Sequence, residues 1–304
     1  MNKRIIADFS LFIVTIFWGS SYFFTKYLFD RENSEFTIIL LRYALAFLVS
    51  LCIYMKRVFQ TDFKTVKKAF LLAFIMFCMY GFLMFGVNRT TALNAAFVNS
   101  LSIVIIPITS VLLTKKFPHK NVFIGAIFAI TGVGMITLKD NFSLGMGDML
   151  CFFSALFEAL HITLTGRLAK NSDAFVIGTL QMGFISIFSL VFAFLFEKPV
   201  LPDTMGEWLS IIYLVLFCSA LPILVQSKAQ QFTTPSHTGI VYSTEPIFTT
   251  IISVIFTGMM LPLRGIIGAL IALCGVFNTI IGFNNIFKVK SLLDKLTIKK
   301  GSQL

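Results

Sequence analysis

One apolar stretch of this chain carries four polar residues that would share one face of a helix. At intervals of four, three and four residues, they are Ser154, Glu158, His161 and Thr165. Glu158 lies about halfway along the stretch, and a carboxylate at mid-depth in a membrane is a candidate functional group. With an imidazole one helical turn away, it could take part in proton coupling or contact a cationic substrate. A Glu158–His161 pair that only holds two helices together is the structural alternative.

A second set of polar residues lies beside prolines in two other apolar stretches. Pro246 removes a helix hydrogen bond and favours an irregularity of the kind that borders cavities. Glu245, which shares a helix face with Tyr242, could therefore face a substrate or satisfy the groups freed at the kink. The corresponding set in the earlier stretch is Asn99 and Ser102, followed about a turn later by a second predicted kink at Pro107.

Two cations and two amides are further candidates. Arg42 lies about six residues inside its apolar stretch and could bind a substrate carboxylate through two hydrogen bonds. Alternatively, the Arg42 side chain extends towards the lipid headgroups. For Lys26, extension to the headgroups is the favoured interpretation. Gln226 and Gln230 are four residues apart, and hydrogen bonding between helices is favoured for them over substrate contact.

The elements that would position these residues are ten apolar runs. Each has about the 17–25 residues that a membrane-spanning helix needs. Only 13% of the 304 residues are charged, about half of what a soluble protein carries. The runs cover residues 8–29, 37–55, 69–88, 94–114, 121–138, 148–168, 175–196, 208–228, 238–258 and 263–284.

The second half of the chain repeats the first. At one constant offset without gaps, Thr90-Thr91 aligns with Thr233-Thr234, and the glycines at 125 and 132 align with those at 268 and 275. These glycines are seven residues apart, on one helix face, where they would let helix backbones approach closely. Because five spans are an odd number, the second repeat enters the bilayer inverted. The sequence therefore predicts an all-α integral membrane protein of ten transmembrane helices, arranged as two inverted five-helix repeats over residues 1–143 and 144–287.

Slightly different offsets align the remaining candidates. They place Asp8 on Asp148 and Trp18 on Glu158 in the first span of each half, and Arg42 on Gln181 in the second. Trp18 could therefore form an aromatic cavity wall opposite Glu158. In inverted-repeat transporters, the binding site lies near the bilayer midplane between the two halves.

The net charge of +11 follows the topology and does not indicate nucleic-acid binding. If the N-terminus is cytoplasmic, 18 of the 25 Lys and Arg residues lie in inside segments and five lie outside. This asymmetry matches the positive-inside rule and predicts a cytoplasmic membrane protein with both termini in the cytoplasm. Residues 288–304 would then form a basic cytoplasmic tail.

Several classes of site are not expected. The five cysteines all lie inside apolar runs without metal-ligand spacing, so neither disulfides nor zinc are predicted. There is no Walker-type phosphate loop and no long soluble segment, and we predict no metal and no cofactor. Uphill transport would then depend on protons or an exchanged solute, and downhill facilitation is the alternative.

The pattern resembles the drug/metabolite transporter superfamily, in particular its ten-span EamA-type members, to about Phe287. The motifs that carry the resemblance are FWGSSYFFTK (17–26), LLRYALAF (40–47), GDMLCFFSALFEALH (147–161), QSKAQQFTTPSHTGIVYSTEPIFTTIISVIF (226–256) and RGIIGALIALCGV (264–276). Two features depart from the family. A Gly-Glu pair after spans four and nine is missing, and Glu158 stands where many members have Trp.

The resemblance implies spans one to four and six to nine around a central cavity, with spans five and ten to one side. The expected function is a secondary transporter of small polar metabolites such as amino acids, most simply an exporter that works by alternating access, and not an enzyme. Its partners would be substrate and the lipid bilayer, and it would act as a monomer or homodimer. The alternatives are an intramembrane enzyme, which would need more His or Asp residues at an interface, and a non-transporting membrane subunit.

Overall fold

Every regular element in the described part of the chain is a helix. The computed structural model describes residues 3–115, 117, 120–137, 145–257 and 263–281. The predicted tail and the predicted repeat boundary at residues 143 and 144 lie outside these ranges. The elements are α1 (Lys3–Phe29), α2 (Glu35–Phe59), α3 (Phe63–Arg89), α4 (Ala92–Ser100), α5 (Ser102–Thr114), α6 (Lys120–Thr137), α7 (Met146–Leu168), a 3-10 helix (Ala169–Asn171), α8 (Ala174–Phe196), α9 (Met205–Val215), a π-helical segment (Leu216–Ala220), α10 (Leu221–Ala229), α11 (Pro235–Tyr242), α12 (Glu245–Thr257) and α13 (Leu263–Ile281).

These helices form ten spans, one in each predicted apolar run. Within the described residues, eight spans are long and apolar enough to cross a membrane, and the shorter apolar helices α6 and α13 are spans five and ten. Span four consists of α4 and α5, span eight of α9, the π-helical segment and α10, and span nine of α11 and α12. The predicted all-helical membrane fold is confirmed. Helices suit hydrocarbon because they satisfy their backbone hydrogen-bonding groups internally.

Apolar side chains cover the outside of the bundle, and polar ones are buried within it. Leu112 is 74% exposed and Phe194 is 69% exposed, which is typical of a lipid-facing surface. Arg42 and Gln181 are only 2% and 1% exposed. The polar residues therefore face the interior of the bundle.

Contacts between helix termini define two ends of the bundle. At the near end, where α1 begins, Arg57 at the end of α2 lies 3.5 Å from the carboxylate of Asp173, just before α8. At the far end, where α1 ends, the Glu197 carboxylate accepts the backbone amides of Phe36 and Thr37 at 2.8 and 2.9 Å. It thereby satisfies two donors that the first turn of α2 leaves open.

Lys26 corrects one expectation at the far end. Its ammonium group donates to the carbonyl oxygens of Val87 and Asn88, at 3.4 and 3.2 Å, and does not simply extend to the headgroups. The last carbonyl groups of α3 receive no hydrogen bond from within their own helix. A lysine ammonium group beside a helix C-terminus can donate to these oxygens and interacts favourably with the helix dipole.

Spans four and nine are broken in the same way. The amide of Leu101 donates to the Val98 carbonyl oxygen, and the amide of Thr244 donates to that of Val241, both at 3.1 Å. Leu101 and Thr244 are equivalent positions of the sequence repeat. In both spans, a three-residue turn replaces one α-helical turn, and the next helix begins directly after it, at Ser102 or Glu245.

Pro246 lies directly after the break in span nine, whereas Pro107 lies several residues after the break in span four. Pro246 is the second residue of α12, where a backbone N–H has no partner within the helix, so the irregularity predicted there is found. Pro107 lies inside α5, where the predicted kink stays a prediction, and the break in span four precedes it at Leu101. The tight turn at Leu101, and not the proline, ends α4.

The glycines of spans five and ten allow their helices to touch backbone to backbone. A Cβ atom at Gly132 would lie 2.4 Å from both the Ala272 nitrogen and the Gly268 carbonyl oxygen. One at Gly275 would lie 2.7 Å from the Gly125 carbonyl oxygen. The close approach predicted from their spacing is confirmed, and it joins α6 of the first half to α13 of the second.

We expect Gly132→Ala to lower the free energy of unfolding by about 1–3 kcal/mol, because backbone atoms of α13 must move to admit the methyl group. Thermal unfolding in detergent measures the change. Gly81→Ala is the matched control: its Cβ atom would be 4.0 Å from the nearest atom, Cε1 of Phe36, and alanine favours the helix. Equal melting temperatures for the two variants would contradict the backbone-contact interpretation.

Candidate functional site

Polar and aromatic side chains from seven spans meet in a small cavity of about 30 Å³ inside the bundle. The lining comes from spans one, two, three, four, six, eight and nine, and within the described residues spans five and ten contribute nothing to it. Eight of the twelve predicted site residues line the cavity: Trp18, Arg42, Asn99, Glu158, His161, Gln226, Tyr242 and Glu245.

The Glu158 carboxylate is held by the break in span four. Asn99 Nδ2 donates to Glu158 Oε2 at 3.0 Å, and the Ser102 hydroxyl also interacts with this carboxylate. Ser154 Oγ donates in turn to Asn99 Oδ1 at 2.9 Å, which fixes the orientation of the amide. Ser154 and Ser102 thus support the cavity wall from behind, as Glu158 projects into it.

His161 has partners of its own. Its Nε2 atom is 2.8 Å from Gln181 Oε1 on α8 and 3.4 Å from the Thr165 hydroxyl. Glu158 and His161 therefore bond to different neighbours, on α4 and α8 respectively. Gln181 does not line the cavity but orients the imidazole that does.

Arg42 is anchored to an irregularity in span eight. Pro222 has no N–H, so the carbonyl of Cys218, four residues earlier, has no α-helical donor. Nη2 of Arg42 donates to this oxygen at 2.6 Å, and Trp18 Nε1 donates to it at 3.0 Å. Nε of Arg42 donates to the Ser219 hydroxyl. The π-helical segment therefore exposes a carbonyl oxygen that two cavity residues from other spans share.

Aromatic rings surround the Arg42 guanidinium. Its central carbon lies 5.1 Å from the ring centre of Tyr80 and 5.5 Å from that of Tyr43, within the range of cation–π contacts. Arg42 is only 2% exposed, so the alternative in which it extends to the headgroups is excluded for this conformation. The cation instead faces the same cavity as Glu158 and Glu245.

The aromatic wall predicted at Trp18 is larger than expected. Trp18 packs edge-to-face on Tyr242, with ring centres 4.8 Å apart. Tyr22 also lines the cavity, together with Glu245, and among the described residues its buried hydroxyl has no hydrogen-bond partner. The hydroxyl of Tyr242 is buried, and among the described residues it has no hydrogen-bond partner. It is free to bond a molecule inside the cavity.

Sequence reasoning missed several lining residues. Thr25 and Tyr22 lie three to four residues apart on the helix face that begins with Trp18, and that periodicity could have identified them. Tyr80 and three methionines on α3 gave no such signal, because they resemble ordinary membrane filler. The methionines are Met76, Met79 and Met84.

The two glutamines divide their roles. Gln230 Nε2 donates to the Ile162 carbonyl oxygen on α7 at 3.1 Å, which is the predicted hydrogen bond between helices. Gln226 lines the cavity and donates to Gln230 Oε1 at 3.4 Å. Within the described ranges, no three His, Cys, Asp or Glu side chains come together as they would around a metal ion.

Comparison with known families agrees with this architecture. The sequence model of the EamA-like transporter family matches residues 5–138 and matches again at residues 145–281. The chain belongs to the EamA-like transporter family. The membership predicted from the motifs is confirmed, and it identifies the chain as a membrane transporter and not an enzyme.

Named relatives of this EamA-like chain are also transporters. An uncharacterized transporter of Archaeoglobus fulgidus is 28% identical over 90% of this chain and 85% of its own length. The uncharacterized transporter YdfC of Bacillus subtilis is 25% identical over 75% of this chain and 76% of its own. One crystal structure superposes with a TM-score of 0.73 over 89% of this chain and 95% of the other, at 15% identity, which is a likeness of fold alone.

Proposed function

We propose that this EamA-like protein is a secondary transporter that exports small zwitterionic metabolites, amino acids or related compounds, by alternating access. The observation that carries the proposal is the composition of the central cavity. Two carboxylates, Glu158 and Glu245, and one guanidinium, Arg42, face the same space beside aromatic and methionine side chains.

An amino acid matches each part of this lining. Arg42 uses Nε and Nη2 to hold span eight, and among its described contacts Nη1 remains for a substrate carboxylate. The substrate ammonium group would be neutralised by Glu158 or Glu245. Trp18, Tyr242 and the methionines of α3 would then contact an apolar side chain.

The size of the cavity supports alternating access. About 30 Å³ is room for roughly two water molecules and is less than any amino acid needs. A substrate must therefore enter in another conformation, in which one end of the bundle is open. We infer that the halves 1–143 and 144–287 are inverted repeats that rock about the cavity.

The basic residues support the orientation. The near end carries Arg57 and Lys68, together with most of the other Lys and Arg residues in the described part of the chain. We therefore propose that the near end, with both termini, faces the cytoplasm in the cell membrane. Coupling to protons or to an exchanged solute would supply the driving force, because the loops are too short to form an ATPase.

Ligand-dependent thermal unfolding of the detergent-purified protein tests this proposal. At about 100 times its Kd, a ligand that binds only the folded protein adds about 2.7 kcal/mol to the free energy of unfolding. We expect a neutral amino acid with a large apolar side chain to raise the melting temperature. The matching amine without a carboxylate and the matching acid without an amine should raise it much less. Equal stabilisation by all three compounds would contradict a zwitterion site.

A further inference from the structure

A buried aspartate at the near end joins the two halves of the protein. Asp8, on α1, is 0% exposed, and it accepts a hydrogen bond from the hydroxyl of Thr233, just before α11. His237 Nδ1 lies 3.6 Å from the other Asp8 oxygen, and Arg4 Nε lies 3.8 Å from it. Arg4 also contacts the His237 imidazole. None of these residues lines the central cavity.

A second buried aspartate makes the corresponding contact at the far end. Asp148, on α7, is 3% exposed and accepts a hydrogen bond from the Thr90 hydroxyl at 2.8 Å. Its other oxygen accepts the backbone amide of Gly145 at 3.0 Å. Thr90 lies in the short connection between α3 and α4.

The two contacts are equivalent in the sequence repeat. When the two halves are aligned, Asp8 falls on Asp148 and Thr90 falls on Thr233. Each aspartate belongs to the first span of one repeat, and each threonine precedes the fourth span of the other repeat. The contacts therefore cross between repeats, one at each end of the bundle.

We propose that these two aspartate–threonine contacts are the latches that close the central cavity, the near latch (Asp8–Thr233) towards the cytoplasm and the far latch (Thr90–Asp148) towards the outside. This inference rests on the proposed alternating-access function. Both latches are formed in this structure, which agrees with a cavity too small for a substrate. Opening one end requires the first span of one half to separate from the fourth span of the other, so one latch must break while its equivalent stays formed.

The two latches differ in their surroundings. The Arg4 guanidinium and the His237 imidazole are additional partners of the near latch, whereas the repeat equivalent of His237 at the far end is Asn94. Loss of the threonine hydroxyl should consequently weaken the far latch more than the near one. The asymmetry predicts that the outside opens more readily than the cytoplasmic side when no substrate is bound.

A matched pair of variants, Thr90→Val and Thr233→Val, tests the proposal. Each removes one hydroxyl while keeping the shape of the side chain. Ser21→Cys in both variants and in the parent places a reporter thiol in the cavity wall. A membrane-impermeant maleimide is applied to right-side-out cells and to inside-out vesicles, and mass spectrometry of the peptide with residue 21 measures its modification. This measurement needs no substrate.

We expect Thr90→Val to raise labelling from the outside by about tenfold, the effect of losing one hydrogen bond to a charged group. Thr233→Val should raise labelling from the cytoplasmic side by a smaller factor. Thr90→Ser and Thr233→Ser restore the hydroxyl and should return each rate to the parent value. This rescue also separates loss of a latch from misfolding.

The outcomes distinguish the latches from the proposed function. Labelling that rises equally from both sides, or does not change in either valine variant, would overturn the latches. If residue 21 of the parent is labelled from only one side or from neither, even during prolonged exposure, the alternating-access function itself fails, and the latches fail with it.

Discussion

Glu158→Gln is expected to abolish the pH dependence of substrate flux while the protein still inserts and folds. Glutamine has nearly the same shape, and its carbonyl oxygen can still accept the hydrogen bond from Asn99 Nδ2. It cannot release or bind a proton, however. Flux against pH in proteoliposomes, with the wild type and the variant side by side, measures the effect. If Glu158 instead neutralises a substrate ammonium group, apparent affinity should fall by about tenfold or more while the pH dependence persists.

Glu35→Gln is the matched control for this experiment. Glu35 is a far-end carboxylate that accepts from Asn88 Nδ2 at 2.9 Å and from Arg89 Nη1 at 3.3 Å, away from the cavity. The same chemical change there should leave both the pH profile and the affinity unaltered. Glu158→Gln curves that coincide with the wild-type curves in both respects would exclude a role for Glu158 in transport.

Arg42→Lys is expected to reduce flux by about tenfold to hundredfold, although the positive charge is kept. Lysine presents one compact ammonium group and cannot reproduce the planar fork that reaches Ser219, the Cys218 carbonyl and the cavity together. A single ammonium group also has no separate nitrogen left for a substrate carboxylate, as Nη1 is in arginine. Initial flux rates over a range of substrate concentrations, together with the melting temperature, measure these effects.

Arg89→Lys provides the same change outside the cavity. Arg89 is 47% exposed at the far end, where its pair with Glu35 contributes little in solvent. The Arg89→Lys variant should therefore transport at nearly the wild-type rate. If Arg42→Lys does so as well, the guanidinium does not bind substrate, and its role is confined to span eight.

The residues that the sequence could identify were those whose chemistry is costly in a membrane. Glu158, Glu245 and Arg42 are conspicuous in apolar runs, and all three reach the cavity. Their supporting partners were harder to predict. Gln181 and Ser154 were expected at the site itself, but they bond to His161 and Asn99 from behind. Whether a polar side chain lines the cavity or supports a lining residue depends on how its helix is rotated about its own axis. The polarity of the sequence does not define that rotation.

Backbone features were predicted less completely. The irregularity beside Pro246 followed from the missing amide, but its equivalent at Leu101 has no proline at the break and so gave no local signal. The exposed carbonyl of Cys218 could have been inferred from Pro222, four residues later. Its use by Arg42 and Trp18 could not, because it depends on how three spans pack against one another.

The unequal charges of the cavity have an electrical consequence. The lining of the cavity holds two carboxylates and one guanidinium, so it carries one net negative charge when both carboxylates are ionised and none when they share one proton. When the cavity opens to one side, the membrane voltage falls mainly across the side that stays closed. A change from one open side to the other therefore moves this charge through much of the electric field, although no residue crosses the membrane. One elementary charge moved through 100 mV corresponds to about 2.3 kcal/mol. Membrane voltage would then bias the empty transporter towards one open side by up to about fiftyfold, and a bound proton or ammonium group would remove that bias.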